Sequence, residues 1–255
     1  RSDGSIRTKK VKQKELQIKY DWVGFKKYKR VINDQEYQDA AKFTFIYVII
    51  SVFVEIILGL FLAFLFNRRI YGRGFMRSLM ILPIFATPFA IGFMFFTILF
   101  EISGPLAWMG IPFLSNHNWA PFSVMLVDIW QWTPFCFLVF LAALQGIPDD
   151  LIEAATLDTK SAYKIWTSVI LPLLQPIIVL VILLRVAESA KLYDYIASLT
   201  KGGPGTATQS VSFLVFNKAF KMNDFGYASA GSFLMLIVVM VFVMLFFTRL
   251  RKTYE

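Results

Sequence analysis

The sequence predicts an all-α protein, a polytopic bundle of membrane-spanning helices. Hydrophobic residues make up 57% of its 255 residues, whereas a soluble domain is nearer to about 45–50% apolar. The apolar residues fall into five long runs, each at or above the roughly 20 residues that a helix needs to cross a bilayer core. The runs lack the alternation of a strand, and hydrocarbon cannot satisfy free backbone N–H and C=O groups. Helices are therefore the expected form of all five runs.

The five predicted spans cover residues 43–66, 78–100, 119–145, 165–187 and 226–248. Three of them carry an isolated charge in an apolar run, namely Glu55, Asp128 and Arg185. Charges at membrane depth are costly and usually face the interior of the bundle, so each is a candidate functional residue. The second span contains Pro83 and Pro88, and we expect a kinked but single helix there.

The composition excludes several classes of function. Cys136 is the single cysteine and His117 the single histidine, so neither an internal disulfide nor a cysteine metal site is expected. A net charge of +9 could indicate nucleic acid binding, but the basic residues lie between apolar runs and fit a membrane surface instead. The glycine-rich residues 202–205 form a turn and not a phosphate loop, because no Gly-Lys-Ser/Thr follows. The sequence predicts no catalytic residue, no metal site and no cofactor bound by this chain.

Basic residues also predict the orientation, since Lys and Arg accumulate in cytoplasmic loops. Residues 101–118 contain neither Lys nor Arg. The loop after the first span and the C-terminal tail are rich in them: Arg68, Arg69, Arg73, Arg77, Arg249, Arg251 and Lys252. We therefore expect the first loop, residues 146–164 and the C-terminus to be cytoplasmic.

Residues 148–172 form the longest polar interruption in the second half of the chain, and they predict a local structure of their own. Pro148 can begin a helix, and Asp150 lies three residues before Glu153, the spacing of a capping box. Asp158, Thr159 and Ser161 offer a break and a second cap. The expected form is a helix, a short turn and a second helix. These features alone leave open whether the segment is simply a capped loop.

The amino-acid sequence of this segment resembles the EAA signature of ABC-importer permeases. The match consists of Glu153-Ala154-Ala155, Asp158 and Ile170-Leu171-Pro172, with Thr159 where the family usually has Gly. The resemblance implies coupling helices that dock into a groove on a cytoplasmic ATPase subunit. The implied ATPase-coupling residues are Glu153, Ala154, Ala155, Leu157 and Asp158.

Residues 185–230 resemble the carbohydrate-uptake class of the same importers, through the Gly-Gly-Pro-Gly of residues 202–205 and the Asp-Phe-Gly-Tyr that begins at Asp224. The resemblance covers nearly everything from Trp22 onwards. It implies half of a translocation path for a sugar, oligosaccharide or polyol in a bacterial or archaeal cytoplasmic membrane. The implied partners are a second permease subunit, two cytoplasmic ATPase subunits that bind ATP and Mg²⁺, and an extracytoplasmic solute-binding protein.

Residues 1–42 are predicted to be a basic N-terminal tail followed by an amphipathic, partly helical segment, with residues 43–255 as the transmembrane domain. With five spans and a cytoplasmic C-terminus, residues 1–42 lie outside the cell. They contain twelve Lys and Arg residues, which violates the positive-inside rule. Residues 22–47 resemble the external segment that follows the first helix of sugar-type permeases. We therefore expect a sixth, N-terminal span to be missing between the basic tail and Trp22.

Polar and aromatic residues at membrane depth are the candidate substrate path, because a sugar stacks its apolar face on rings and hydrogen-bonds through its hydroxyls. The candidates are Asp128, Trp130, Gln131, Trp132, Glu188, Lys191 and Tyr193. Two structural alternatives stay open: Arg185 and Glu188 could pair with each other, and the tryptophans could be packing residues. For Glu55 the sequence leaves two roles open, a contact with another subunit or a contact with the ligand.

A self-sufficient secondary transporter or channel is the alternative function, with Glu55, Asp128 and Glu188 as ion-coupling acids. Inverted repeats would favour it, and the sequence has no evident repeat. A membrane-embedded enzyme would need clustered His, Cys or Asp residues, which one histidine and one cysteine do not supply.

Overall fold

The computed structural model describes residues 24–67 and 71–254, with side chains as far as residue 248. These ranges contain helices and no strands, as an all-α bundle requires. The basic tail of residues 1–20, Trp22, Arg68 and Arg69 lie outside the described residues. The same holds for the side chains of the basic C-terminal tail.

Ten α-helices are described, and short 3₁₀ or π-helical turns extend several of them. The first five are α1 (Lys26–Ile32), α2 (Gln35–Asn67), α3 (Arg73–Ile81), α4 (Pro88–Leu99) and α5 (Trp119–Gln145). The others are α6 (Asp149–Asp158), α7 (Ala162–Ile165), α8 (Leu171–Ser189), α9 (Val211–Phe216) and α10 (Phe225–Tyr254). The α1 helix fits the prediction of a partly helical segment before the first span.

Four helices are long and apolar enough to cross a membrane: Gln35–Asn67, Trp119–Gln145, Ala162–Ser189 and Phe225–Thr248. They correspond to the first, third, fourth and fifth predicted spans. The α2 helix begins at Gln35 rather than at residue 43 and contains 33 residues. At about 1.5 Å per residue it exceeds the roughly 30 Å bilayer core, so its polar first turns extend beyond the hydrocarbon.

The second predicted span is broken and not a single kinked helix. The stretch Arg73–Phe85 meets Pro88–Leu99 at a bend of 100°. Proline disfavours the helical conformation in the residue before it, and Thr87 is accordingly extended, with φ −67° and ψ 142°. The Thr87 side chain accepts a hydrogen bond from the Ala90 backbone N–H, so it ends one helix and caps the next.

The α2 and α5 helices pack closely and in parallel. A Cβ at Gly59 would lie 2.6 Å from the Cys136 Cβ, so only glycine allows this approach. Ala63 follows four residues later on the same buried face, the small-xxx-small spacing that brings membrane helices together. Phe66 and Phe137 continue the contact with ring centroids 5.5 Å apart.

The α8 helix runs antiparallel to this pair. Leu174, near its start, packs in one cluster with Ala63 and Phe137, whereas Arg185, near its end, reaches Glu55 on α2. The bundle therefore has two distinct ends. We call the end that contains residues 71–73 and 146–165 the coupling end. The opposite end contains α1 and the connections of residues 100–118 and 190–224, and we call it the cavity end because a cavity opens there.

Ion pairs at the cavity end fasten α1 to the start of α10. Lys27 and Arg30 contact the Asp224 carboxylate at 3.2 and 3.0 Å. A hydrogen bond from the Tyr227 backbone N–H and these two cations lower the pKa of Asp224. The Tyr227 hydroxyl donates to Asp34 at 2.7 Å, so a hydrogen bond adds to the two ion pairs in this contact.

Candidate functional site

A buried ion cluster joins three spans, α2, α5 and the C-terminal part of α8. The Arg185 Nε and Nη2 donate to the two carboxylate oxygens of Glu55 at 2.6 and 2.8 Å. The same Nη2 lies 3.2 and 3.3 Å from the two Asp128 oxygens and 2.9 Å from Ser189 Oγ. The three charged side chains are at most 2% exposed. Two carboxylates face one guanidinium, so the cluster carries one net negative charge when all three groups are ionised.

The isolated charges of the three spans thus meet one another. The alternative pairing of Arg185 with Glu188 is wrong, because both acids bound to Arg185 come from other helices. Both open roles for Glu55 are also wrong for this structure: the side chain is fully buried inside the chain and binds Arg185. Sequence spacing could not reveal these partners, since Glu55 and Arg185 are 130 positions apart.

A hydrogen-bonded aromatic network extends from the ion cluster. The Arg185 guanidinium lies over the Trp132 ring, 4.6 Å from its centroid, and Trp132 Nε1 donates to the Tyr195 hydroxyl at 3.1 Å. Tyr195 donates in turn to Gln131 Oε1 at 2.7 Å. The Gln131 Nε2 then donates to the Ala86 carbonyl at 2.8 Å, in the break between α3 and α4. The network therefore links the cluster to the broken span.

A polar cavity of about 170 Å³ lies beside this network. Its buried floor contains Tyr47, Asp128, Trp132, Arg185 and Tyr195, and its more exposed rim contains Glu188, Lys191, Tyr193 and Asp194. The Tyr47 hydroxyl is buried with no hydrogen-bond partner among the described residues. A buried hydroxyl without a partner is costly, and a hydroxyl group of a bound molecule would satisfy it.

Five of the seven predicted substrate-path residues line this cavity: Asp128, Trp132, Glu188, Lys191 and Tyr193. Gln131 stands directly behind it through Tyr195. Trp130 does not belong to the cavity, because its side chain lies on another face of α5, 43% exposed and packed edge-on against Phe95. The three-residue sequence Trp-Gln-Trp spans most of a helical turn, so it cannot face one site.

The sequence indicated no role for four polar residues of the cavity: Tyr47, Ser189, Asp194 and Tyr195. Helical periodicity could have found Tyr47, which lies two turns before Glu55 on the same buried face of α2. Asp194 and Tyr195 begin a short helical segment after α8, which continues as a π-helical turn at Ile196–Thr200. Residues 190–193 interrupt the helix before this segment, so the periodicity of α8 does not extend to it.

The glycine turn behind the rim has the predicted left-handed conformations. Gly202 and Gly205 have φ of 89° and 59°, a region that glycine enters without steric cost. Thr208 closes the turn by donating to the Gly203 carbonyl at 2.8 Å. The turn therefore braces the connection that carries Tyr193 and Tyr195.

The coupling segment of residues 148–172 forms the predicted helix, turn and helix at the other end of the bundle. The α6 helix ends at Asp158, and the Ser161 side chain accepts from the Lys164 backbone N–H to begin α7. The expected capping box is wrong, because Asp150 lies inside α6 and Pro148 occupies the cap position without a side-chain hydrogen bond. Pro148 can hold that position by its fixed φ alone.

Apolar side chains project from this segment away from the rest of the chain. Leu157 is 89% exposed and Tyr163 is 77% exposed. Glu153, Ala154 and Asp158 are also exposed, and Ala155 is half-buried. The segment thus has a small-residue and apolar surface with an acidic margin, but this chain supplies no partner for it among the described residues.

Comparison with known proteins identifies the family. The family described as "Binding-protein-dependent transport system inner membrane component" matches residues 55–255. The chain is 36% identical over 233 residues to the trehalose/maltose transport system permease protein MalF of Thermococcus litoralis, covering 88% of this chain and 78% of that protein. It is 30% identical to the sn-glycerol-3-phosphate transport system permease protein UgpA of Agrobacterium fabrum, covering 86% and 77%.

A solved structure shares the fold. The bacterial alginate ABC transporter in complex with alginate pentasaccharide-bound periplasmic protein matches with a TM-score of 0.81 at 21% identity, over 91% of this chain and 84% of that chain. The helical membrane architecture and the assignment as a transport subunit rather than an enzyme are confirmed. The chain is a membrane-embedded permease and belongs to the family of binding-protein-dependent transport system inner membrane components.

Proposed function

We propose that this chain forms half of the translocation path of an ATP-driven carbohydrate importer and transmits the ATPase cycle to that path. The observation that carries the proposal is the placement of two features on one helix. The exposed coupling segment leads into α8, and the polar cavity lies at the end of the same helix. The 19 residues of α8 span about 28 Å at 1.5 Å per residue. Movement of the segment can therefore be transmitted to the cavity along one helix.

The chemistry of the cavity supports a carbohydrate substrate. Trp132 and Tyr193 supply aromatic rings, and the free Tyr47 hydroxyl can bond to a substrate hydroxyl. Relatives named for trehalose, maltose and sn-glycerol 3-phosphate belong to the same family. A sugar, oligosaccharide or polyol fits both observations.

The exposed surface of the coupling segment supports an ATPase partner. Leu157 and Tyr163 together present apolar area that water would otherwise surround, and small Ala154 permits close approach of another surface. Glu153 and Asp158 provide a polar margin. Two cytoplasmic ATPase subunits would bind ATP and Mg²⁺ and drive the segment, since the sequence contains no Gly-Lys-Ser/Thr of a phosphate loop.

The remaining partners and the orientation follow from the same arrangement. Four or five spans are too few to enclose a path alone, so a second permease subunit completes it, and a solute-binding protein delivers substrate at the cavity end. Arg73 and Arg77 lie at the coupling end, which favours a cytoplasmic location for that end and for the C-terminus.

The ion-driven alternative has less support. Two of its three coupling acids, Glu55 and Asp128, are bound to Arg185 and are not free to carry an ion. Family membership also favours the importer.

Cysteine cross-linking tests the proposal directly. Cys136 is fully buried, so a thiol reagent should leave it unmodified and report only an introduced cysteine. We would replace Leu157 in the coupling segment by cysteine and compare it with Trp108→Cys, which is 80% exposed at the opposite end of the bundle. Native membranes would be treated with a maleimide–benzophenone reagent, which bonds to the introduced cysteine and on irradiation inserts into C–H bonds of any protein within reach. The products would be identified by mass spectrometry.

We expect Leu157→Cys, but not Trp108→Cys, to cross-link to an ATP-hydrolysing subunit. Cross-linking of that subunit to position 108 would overturn the docking proposal. So would the absence of a cross-link at both positions when both cysteines react with maleimide.

A further inference from the structure

We infer that the cavity selects uncharged polyhydroxy substrates and rejects anions, because every cation beside it is already paired and its net charge is negative. The inference rests on the proposed transport function and narrows its substrate class. The relatives include permeases named for neutral disaccharides and for a phosphate ester, so the family alone does not decide between the two.

Arg185 cannot serve as a bidentate anion receptor in this arrangement. A bidentate contact needs two guanidinium nitrogens with free N–H groups. Here Nε and Nη2 donate to Glu55, and Nη2 also donates to Asp128 and Ser189, which leaves only Nη1 without an acceptor among the described residues. A phosphate or carboxylate that bound through two nitrogens would have to displace a buried carboxylate that has no other cation among the described residues.

Lys191 is also paired. Its Nζ lies 2.9 Å from Glu188 Oε1, one helical turn away on the rim. Both side chains are more than half exposed, so the pair adds no net charge to the rim and solvent screens the charge of the ammonium group.

The remaining charge around the cavity is acidic. Asp194 lines the rim, and its carboxylate has no ion-pair partner among the described residues. The cavity and its ion partners contain four carboxylates, from Glu55, Asp128, Glu188 and Asp194, and two cations. Two net negative charges remain when all six groups are ionised, and one remains when Glu55 is protonated; either excess repels a phosphate or uronate.

The groups left free are those that recognise neutral hydroxyls. The Tyr47 hydroxyl has no hydrogen-bond partner among the described residues. Trp132, which has the Arg185 guanidinium over one face, and Tyr193, which packs against Phe213 and Phe216, supply aromatic wall to the cavity. A polyol or sugar hydroxyl can both donate and accept, so it can bond to Tyr47 and to a rim carboxylate without any free cation. The cavity therefore matches an uncharged carbohydrate better than a phosphorylated or acidic one.

Ligand binding to the purified complex tests this selectivity without the binding protein. The readout is the tryptophan emission that depends on Trp132, obtained as the difference between the wild type and Trp132→Phe. The probes are maltose and trehalose as neutral sugars, and sn-glycerol 3-phosphate and digalacturonate as anions. The Glu188→Gln/Asp194→Asn variant removes two rim acids and releases Lys191. Asp39→Asn removes an exposed acid on α2 that does not line the cavity and serves as control.

We expect at least one neutral sugar to bind at least about tenfold more tightly than either anion, since like charges a few ångströms apart repel by more than the about 1.4 kcal/mol that tenfold represents. The rim variant should narrow this gap at least threefold (about 0.65 kcal/mol), and Asp39→Asn should leave it unchanged. Equal binding of sugars and anions, a gap that the rim variant does not change, or no response to any probe would overturn the inference. Co-purification of an active ATPase tests the proposed function and is measured separately. If the complex is intact but does not discriminate between sugars and anions, only the inference about selectivity is refuted.

Discussion

Replacing Arg185 by methionine should destabilise the bundle more than any replacement of an exposed cation. The change leaves Glu55 and Asp128 facing each other, both at most 2% exposed. It also removes the contact of the guanidinium with the Trp132 ring. Two carboxylates at membrane depth would then have no cation to compensate them.

The magnitude follows from the burial of the cluster. Breaking a buried ion pair by removing one partner costs about 3–5 kcal/mol, because the remaining charge is left uncompensated. That corresponds to a loss of about two to nearly four powers of ten in the folding equilibrium constant. The matched control is Lys42→Met, which breaks the Asp39–Lys42 pair on the exposed face of α2 at 3.2 Å. An exposed pair contributes only about 0–1 kcal/mol.

The assay is equilibrium unfolding of the purified protein by titration with dodecyl sulfate, followed by helical circular dichroism. A second variant separates charge from volume: Arg185→Met combined with Glu55→Gln and Asp128→Asn removes all three charges at nearly constant shape. It should recover most of the lost stability, since a neutral replacement of a buried ion cluster is often tolerated. If Arg185→Met costs no more than Lys42→Met, or if the triple variant recovers nothing, the reasoning about the cluster is wrong.

Three other perturbations have defined outcomes. Gly59→Leu should destabilise the protein by about 1–3 kcal/mol or more in the same unfolding assay, because even a Cβ there would lie 2.6 Å from Cys136; Gly74→Ala, with open space around it, should cost nothing. Trp132→Ala should reduce substrate-dependent transport at unchanged ATPase association, whereas Trp130→Ala should not; equal loss in both would contradict the cavity. Asp224 has a lowered pKa, so the stability it adds is present above its unfolded pKa near 3.8 and is lost as the pH falls through the folded value. The melting-temperature gap between wild type and Asp224→Asn should therefore close on acidification, and a gap that widens would refute this sign.

The sequence predicts well what depends on local rules. Hydropathy over windows of helix length located the spans, and α5 has the predicted bounds of Trp119 and Gln145. Turn chemistry predicted the left-handed glycines, and Ser161 begins a helix as expected. The break at Thr87 was predicted only as a kink, because a proline pair marks a defect but does not set the angle between the two helices.

The sequence predicted most residues of the candidate site but not which of them contact one another. Glu55, Asp128 and Arg185 stood out because each is a charge in an apolar run, yet their meeting depends on how three helices pack. Trp130 was placed with Trp132 because they are neighbours in sequence, although the helical turn of about 100° per residue puts them on different faces. Asp194 and Tyr195 begin a short helical segment after the interruption at residues 190–193, so the periodicity of α8 does not tell which of their side chains face the cavity.

The account depends most directly on an ATPase that docks on the coupling segment. The decisive measurement is co-purification: the tagged chain is extracted from its native host in mild detergent, as wild type and as Glu153→Lys and Ala154→Asp. These residues are exposed on α6, so both variants should fold and insert normally. We predict that an ATP-hydrolysing subunit accompanies the wild type and is lost from both variants. A well-folded wild type that brings down no ATPase, or variants that retain it and transport normally, would contradict the account.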